Sequence, residues 1–328
     1  MSRIYKDAVE SIGRTPMIEL HRSVPDNGHR FLAKVEFFNP GLSVKDRIAV
    51  SIIDDAEKRG LLKPGGTIVE ATSGNTGVAL GMVAALRGYK CVFVMPEKIS
   101  EEKRATLRAY GAKVVMTPTG VEPNDPRSHY SVAKKIVSET PGSYLANQYH
   151  NPANPQAHYE TTGPEIWEQT EGKVDVFVDG AGTGGTLSGV GRFLKEKNPE
   201  IKIICADPVG SILFDLFYFK EIREKPGSYM VEGIGEDMLP ENVHFNMMDE
   251  FIRTTDAEAF KLTRQLARQE GLLLGPSCGS ALAAAIKYSE SGKLKKPSTI
   301  VTMFPDSGRG YLSKVFNDEW MKTNGFET

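Results

Sequence analysis

At 328 residues the chain is long enough to bury a sizeable core, and its length suits two lobes better than one. Its 40 basic and 42 acidic side chains nearly cancel, so no strong field directs it to nucleic acid or to an anionic membrane. Apolar and charged shares of 40% and 25% are those of an ordinary soluble globular protein, and three scattered cysteines (Cys91, Cys205, Cys278) are too few for a disulfide framework or a paired-cysteine metal site.

Short β-rich runs alternate with helix-period segments along the chain. The pattern predicts a strand over 31–37, a helix over 44–59 stopped by Gly60, a strand over 67–71, a helix over 76–87 and a strand over 91–95. A helix over 100–110 follows, with a serine cap, an acidic first turn and a closing Gly111. Then come a strand over 113–116, a helix over 128–138, a strand near 144–146 and a helix over 155–169. The second half continues with a strand over 174–178, a helix over 185–197, a strand over 202–206, an extended run over 251–254 and a helix over 256–269. A helix over 280–288, a strand over 299–304 and a helix over 309–316 close the chain, and 207–250 reads as irregular or mobile. Strands alternating with helices imply parallel sheets covered on both faces, an α/β fold whose ligands bind at the carboxyl ends of the strands. The N-terminus lacks the apolar run of a signal peptide and no segment reaches transmembrane length, so a reducing cytoplasm is the expected compartment.

Four places at expected helix starts carry chemistry. The run Asn39-Pro40-Gly41-Leu42-Ser43-Val44-Lys45 sets a lysine at the mouth of a helix, a position suited to a Schiff base with an aldehyde cofactor, although most lysines there are merely solvated. Thr72-Ser73-Gly74-Asn75-Thr76-Gly77 joins hydroxyls and an amide to a helix N-terminus, which can cradle a carboxylate or form a capped turn. Gly180-Ala181-Gly182-Thr183-Gly184-Gly185-Thr186 is a nest of backbone donors for a phosphate dianion. It lacks the Lys-Ser/Thr ending of a triphosphate loop, but Gly180, Gly182 and Gly185 satisfy GxGxxG with Asp207 about 20 positions on, so a dinucleotide site stays open. Gly275-Pro276-Ser277-Cys278-Gly279-Ser280 offers a serine hydroxyl to a ring nitrogen, or a helix cap. Six histidines form no metal-ligand spacing, so no metal is expected, and no GxSxG elbow occurs. An aldehyde for the lysine, a phosphate for the nest and a ring nitrogen for the serine are the groups of pyridoxal 5′-phosphate.

With these motifs the chain resembles the fold-type II, pyridoxal-phosphate-dependent β-substitution family, that is, cystathionine β-synthase and cysteine synthase. The likeness runs from Ile12-Gly13-Arg14-Thr15-Pro16-Met17 to about Trp320. Lys34-Val-Glu-Phe-Phe-Asn39, Met95-Pro-Glu-Lys98, Val231-Glu-Gly-Ile-Gly-Glu-Asp237, Gln269-Glu-Gly-Leu-Leu273 and Phe304-Pro-Asp-Ser307 look nearer the cystathionine β-synthase catalytic core. The resemblance implies two lobes, each a mostly parallel twisted sheet flanked by helices, as in a tryptophan synthase β-like fold. A smaller mobile lobe would span 46–150 and a larger cofactor-binding lobe 1–45 and 151–328, with no C-terminal regulatory domain and no N-terminal haem-binding extension.

On matching positions the resemblance implies that Lys45 is the Schiff-base lysine and proton shuttle and that Asn75 bonds the cofactor's phenolic oxygen. Gly182, Thr183, Gly184, Gly185 and Thr186 would hold the phosphate, and Ser277 would face the ring nitrogen. Thr72, Ser73, Thr76 and Gln148 would grip the substrate carboxylate, and Gly233 would line the side of the second substrate. The implied reaction is β-replacement on L-serine, or an activated serine, by L-homocysteine through an aminoacrylate, giving L-cystathionine. Glu232 and Asp237 are carboxylates that can meet homocysteine's amino group or simply face solvent. Cysteine synthase, using O-acetylserine and sulfide, is the alternative within the family, and a non-catalytic cofactor-binding module the alternative outside it. Small amino-acid substrates, a homodimer, and neither nucleic acid nor membrane complete the expected partners. Pro276, Cys278 and Asp179 depart from the family's usual residues and leave fine specificity open.

Overall fold

The computed structural model describes residues 4–72, 74–97, 99, 101–121, 125–295 and 297–328. In chain order the first elements are β1 (Met17–Leu20), β2 (Arg30–Val35), α1 (Lys45–Lys58), β3 (Thr67–Ala71), α2 (Asn75–Arg87), β4 (Lys90–Pro96), α3 (Glu101–Ala109), β5 (Lys113–Thr117), α4 (His129–Glu139), β6 (Ser143–Leu145) and α5 (Ala153–Ala157). They are followed by α6 (Gly163–Gln169), β7 (Val176–Gly180), α7 (Gly185–Lys197), β8 (Lys202–Pro208), α8 (Leu213–Phe219), β9 (Glu250–Thr254), α9 (Asp256–Gln265), α10 (Pro276–Glu290), β10 (Thr299–Phe304) and α11 (Asp318–Thr323). The chain divides into two compact units, a smaller one containing Asn39–Asn154 and a larger one made of Gly13–Phe38 and Pro155–Thr328. Residues 4–12, 39–45 and 151–154, grouped with the larger lobe on sequence grounds, fall in the smaller unit.

The smaller unit is built on a fully parallel sheet of order β5-β4-β3-β6. Ile68, Val69, Phe93 and Val94 are buried on successive residues, as they must be when both faces are covered. Helix α4 packs on β3 and β4, with Ala133 against Val69, Ala71 and Val94. Helices α1 and α2 pack together and α2 packs on β4, burying Ile48, Ile52, Leu80 and Val83.

The larger unit carries six strands in the order β1-β2-β10-β7-β8-β9. Side chains of a strand alternate between faces. Val176, Val178, Ile204, Ile300 and Phe304 therefore join one core with Cys278 and Leu282 of α10, while Phe177, Ile203, Cys205, Val301 and Met303 join another with Leu187, Val190 and Leu194 of α7. Every pairing is parallel except β1, which runs antiparallel to β2 at the sheet edge.

Most expected elements lie within a few residues of their predicted bounds, and the differences have causes. The strand β1 has no period long enough to show in the sequence. Helix α10 starts at Pro276, which fills its first turn, where a missing N–H costs nothing, so Ser277 lies in a helix and not in a loop. The helix expected over 309–316 is one short 3-10 turn, Gly308–Tyr311, and the last helix, α11, lies beyond it. The helix expected over 155–169 is interrupted by a π-type turn, His158–Thr162, just before Pro164, which has no N–H for the carbonyl of Glu160. Within 207–250, α8 is regular. The serine expected to cap α3, Ser100, lies outside the described residues.

Candidate active site

In the smaller unit, chemistry gathers at the carboxyl ends of β3 and β6, which are parallel neighbours. Beyond β3, the N–H of Gly74 donates to Thr72 Oγ1 at 3.3 Å and Gly74 caps α2 without a side-chain hydrogen bond. That bond closes a small threonine turn just before the helix. Asn75 opens the helix and Thr76 is buried beside it. Beyond β6, Asn147 takes a left-handed backbone (φ 52°) and Asn154 Nδ2 donates to the Gln148 carbonyl at 2.8 Å. The Thr76 hydroxyl donates to Gln148 Oε1 at 2.6 Å, both groups buried. Thr72, Asn75, Thr76 and Gln148 thus come from two adjacent strand ends, whereas Ser73 lies outside the described residues.

Lys45 is the first residue of α1 and is half-buried. Its turn is tightly tied. Leu42 is left-handed (φ 63°) and its N–H donates to the Asn39 carbonyl at 2.8 Å, Asn39 Nδ2 donates to Ser43 O at 3.1 Å, and the Lys45 N–H donates to Ser43 Oγ at 3.2 Å. The Gly41 N–H donates to the buried Asp46 carboxylate, which lies so close that a Cβ at Gly41 would strike it. The turn before Lys45 is therefore fixed by side chains on both sides of it.

In the larger unit, the glycine loop leaves β7 at Gly180 and enters α7 at Gly185. Gly184 is left-handed (φ +81°) and caps α7 without a side-chain hydrogen bond, a helix start of the kind that suits an anion. A Cβ on Gly182 would lie 2.5 Å from the Gly233 carbonyl, and one on Gly184 would collide with Val243. Gly235 N–H donates to Ala181 O at 2.8 Å, so the 231–237 segment lies directly against the loop. Thr183 is buried, and Thr186 Oγ1 is 3.4 Å from Nε2 of His158, whose Nδ1 is 2.9 Å from Thr162 Oγ1. His158, brought there by the π-type turn, carried no sequence signal of its own.

Ser277 is buried in the first turn of α10, whose cap is Gly275 with no side-chain hydrogen bond. Neither Ser277 nor Ser280 caps the helix; Ser280 bonds Thr254 Oγ1 instead. Asp306 braces this helix start: its carbonyl accepts from Gly275 N–H at 3.2 Å and its carboxylate from the Tyr311 hydroxyl at 2.8 Å. Burial pushes the Tyr311 phenol well above its ordinary pKa.

Two further findings bear on the open readings. Asp207 is fully buried and accepts from the Phe214 N–H at 2.9 Å, with its pKa pushed up to about 6 by burial, so it faces the fold and not a ribose. Glu232 is ion-paired with Lys314, which leaves Asp237 as the exposed carboxylate of the 231–237 segment. Among the described residues no cluster of His, Cys, Asp or Glu has the geometry to hold a metal.

Taken unit by unit, the glycine-capped loop and the neutral buried serine of the larger unit suit a phosphate and a ring nitrogen, and a lysine at a helix start in the smaller unit suits an aldehyde. Residues 9–306 match the family described as "Pyridoxal-phosphate dependent enzyme". The chain belongs to this family. Among curated members of this pyridoxal-phosphate enzyme family, "Cystathionine beta-synthase" of Apis mellifera is 50% identical over 99% of this chain, which spans 64% of that protein. "Cysteine synthase A" of Escherichia coli (strain K12) is 45% identical over 95% of each chain. The solved structure of O-ureido-L-serine synthase superposes with a TM-score of 0.88 and 36% identity, covering 98% of this chain and all of that one. The chain spans about 57–64% of the length of the first curated relatives it matches. No helix among the described residues is long and apolar enough to cross a membrane.

Proposed function

We propose that the chain catalyses β-replacement on L-serine, or an activated serine, by L-homocysteine, forming L-cystathionine. The observation that carries this reading is the match of 97–99% of the chain to proteins named cystathionine β-synthase, six of them at 43–50% identity. In the reaction the Cβ–O bond of serine breaks, the Cβ–S bond forms, and the thiol proton leaves with hydroxide as water. When bound, pyridoxal phosphate supplies an aldehyde that links to amines and a ring that draws electrons from the substrate's α-carbon.

The chain's own residues do the rest. Lys45 Nζ holds the aldehyde at rest, removes the α-proton and delivers a proton to the departing oxygen. Thr72, Ser73, Thr76 and Gln148 grip the substrate carboxylate, with Gln148 Oε1 committed to Thr76 and its Nε2 supplying the donor. Asn75 bonds the phenolic oxygen. Gly182, Thr183, Gly184, Gly185 and Thr186 hold the phosphate dianion through backbone N–H groups and hydroxyls. Ser277 offers the ring nitrogen a hydroxyl and no charge, which keeps that nitrogen largely unprotonated and favours prompt loss of the leaving group. Gly233 lines the side where the thiol arrives. In this reading the smaller unit, which contains Asn39–Asn154, is the mobile lobe, and the larger unit holds the cofactor's phosphate and ring nitrogen. The enzyme is a lyase of transsulfuration, cytoplasmic, as its three buried free thiols suit, and homodimeric.

Cysteine synthase activity, with O-acetylserine and sulfide, is the second reading. It is favoured by the match to cysteine synthase A over nearly all of both chains and by the pairing of Glu232 with Lys314, which removes one candidate partner for homocysteine's ammonium. Steady-state assays separate the two: serine plus homocysteine yields cystathionine, whereas turnover confined to O-acetylserine plus sulfide assigns cysteine synthase. Borohydride treatment of the holoenzyme fixes the cofactor's mass on the Lys45 peptide. Lys45→Ala loses this label and about 10²–10⁴-fold in turnover; a label retained in that variant refutes the assignment of Lys45.

A further inference from the structure

An acid in the first turn of a helix is ordinary, because it faces the positive end of the helix dipole. Asp46, the second residue of α1, differs in being fully buried, at 0% exposure, and in reaching back along the chain. Its Oδ2 accepts from the Gly41 N–H at 2.5 Å, and its Oδ1 would lie 2.3 Å from a Cβ placed on Gly41. The φ of Gly41 is not positive, so its missing side chain serves that approach and not a backbone conformation. The left-handed residue is its neighbour Leu42 (φ 63°), in a backbone that L residues adopt only when the surroundings hold them in it. The chain thus puts glycine where the carboxylate must pass and leaves leucine to carry the strain. Two further ties complete the turn: Asn39 Nδ2 donates to Ser43 O at 3.1 Å and the Lys45 N–H to Ser43 Oγ at 3.2 Å. Burying a carboxylate costs stability, and an apolar side chain would fill the space more cheaply.

We propose that Asp46 is the positioning residue of Lys45: its carboxylate staples Gly41 to the first turn of α1, so that the lysine side chain leaves from one fixed backbone. The link to the aldehyde forms when the Lys45 amine adds to its carbon and the aldehyde oxygen departs as water. Asp46 does not touch the cofactor; it acts through the backbone of its neighbour. A backbone already fixed leaves less freedom to be lost when the long lysine side chain makes its bond. What Asp46 sets is the strength of the covalent link, apart from the hold on phosphate and ring nitrogen proposed for residues of the larger unit.

This inference rests on the Schiff-base role proposed for Lys45, and the test separates the two. The full-length chain, freed of cofactor, is titrated with pyridoxal phosphate and with deoxypyridoxine phosphate, which carries a methyl group in place of the aldehyde. The ratio of the two dissociation constants reads the covalent link alone, since a general loosening of the fold weakens both ligands equally. Asp46→Ala should reduce the preference for pyridoxal phosphate about tenfold, the effect of one charge-assisted hydrogen bond. Asp46→Asn, whose amide oxygen still accepts from Gly41, should restore most of it. Gly41→Ala strikes the same contact from its other side and should reduce the preference similarly, while the double variant with Asp46→Ala should lose no more than the worse single. An unchanged preference in Asp46→Ala, equal losses in the Ala and Asn variants, or additive losses in the double variant overturn the proposal. If Asp46→Ala does not fold, Gly41→Ala takes its place, and an unchanged preference there overturns the proposal. Lys45→Ala serves as the control. A preference that survives it removes the Schiff-base role itself, whereas a loss there with none in Asp46→Ala removes only the role of Asp46.

Discussion

A side chain on Gly184 meets two penalties at once: a left-handed backbone at φ +81° and the side chain and backbone of Val243 in the space a Cβ needs. Gly184→Ala should therefore cost about 2–4 kcal/mol in denaturant unfolding of the holoenzyme and should weaken the cofactor's dissociation constant in spectroscopic titration. Equal stability in the two proteins would show that the loop has room this structure denies it. The sequence pointed to this loop through its composition, since a run of four glycines and two threonines at a helix start has few other uses. It could not show why Gly184 in particular is glycine, because Val243 is remote in the chain. Ser277 was expected in a loop and lies in a helix. Pro276 and Gly279 look like loop residues, yet Pro276 sits where a helix tolerates it, and Gly279 lies mid-helix because a Cβ there would strike the Ala259 carbonyl and Thr263 of α9.

Between elements, the buried Lys34 shows how β2 is fastened to α6. Its ammonium is fully buried and donates to Thr15 O at 2.7 Å, to Glu165 Oε2 at 2.7 Å and to Gln169 Oε1 at 3.0 Å. Removing one partner of such a pair strands a charge, so Glu165→Leu should destabilise the protein by about 3–5 kcal/mol. Adding Lys34→Met should recover much of that loss, since no buried ammonium remains to be solvated. A double-mutant cycle in guanidinium checks this, and additive losses would show that the two side chains do not share one energy term. The resemblance picked out the segment starting at Lys34, but nothing in periodicity announces a lysine inside a core strand. The helix carrying Glu165 was read from its 3.6-residue period as one continuous element. A π-type turn adds a residue to that period without erasing it, so His158 reaches Thr186 unannounced.

For the molecule as a whole, Glu70 and Asp207 make stability depend on pH. Burial raises their pKa values from 4.5 to about 8 and from 3.8 to about 6, so the folded chain holds protons that the unfolded chain has released. Their contribution is fully present below the unfolded values and is lost as pH rises, through about 6 for Asp207 and about 8 for Glu70. The thermal midpoint of Glu70→Gln should accordingly fall less than that of the wild type between pH 6.5 and about 8.5, and matching slopes would refute the sign. Tyr144 also senses the Glu70 charge, but its own pKa is raised from 10.0, so it titrates above this window. At this scale the α/β class and parallel sheets were clear from the alternation of strands and helices, which reports directly on how faces are covered. The assignment of 39–45 to a unit was not, because it follows from how the folded chain divides into compact units and not from local sequence pattern.

Helices α2, α7 and α10 share a trait with thermodynamic weight: each begins at a glycine, which has no side-chain oxygen to offer its first-turn N–H groups. Serine or aspartate at such a place is worth about 0.5–2 kcal/mol to a helix, and the chain forgoes that three times. In the proposed reading, a phosphate seated on α7 would supply the missing acceptor from outside the polypeptide and make pyridoxal phosphate a component of the fold as well as a reagent. Thermal unfolding should shift upward with free cofactor, by about 2.7 kcal/mol of stability at a hundredfold excess over its dissociation constant. The quantity of folded enzyme a cell keeps would then follow its supply of cofactor, even where the rate of synthesis stays the same.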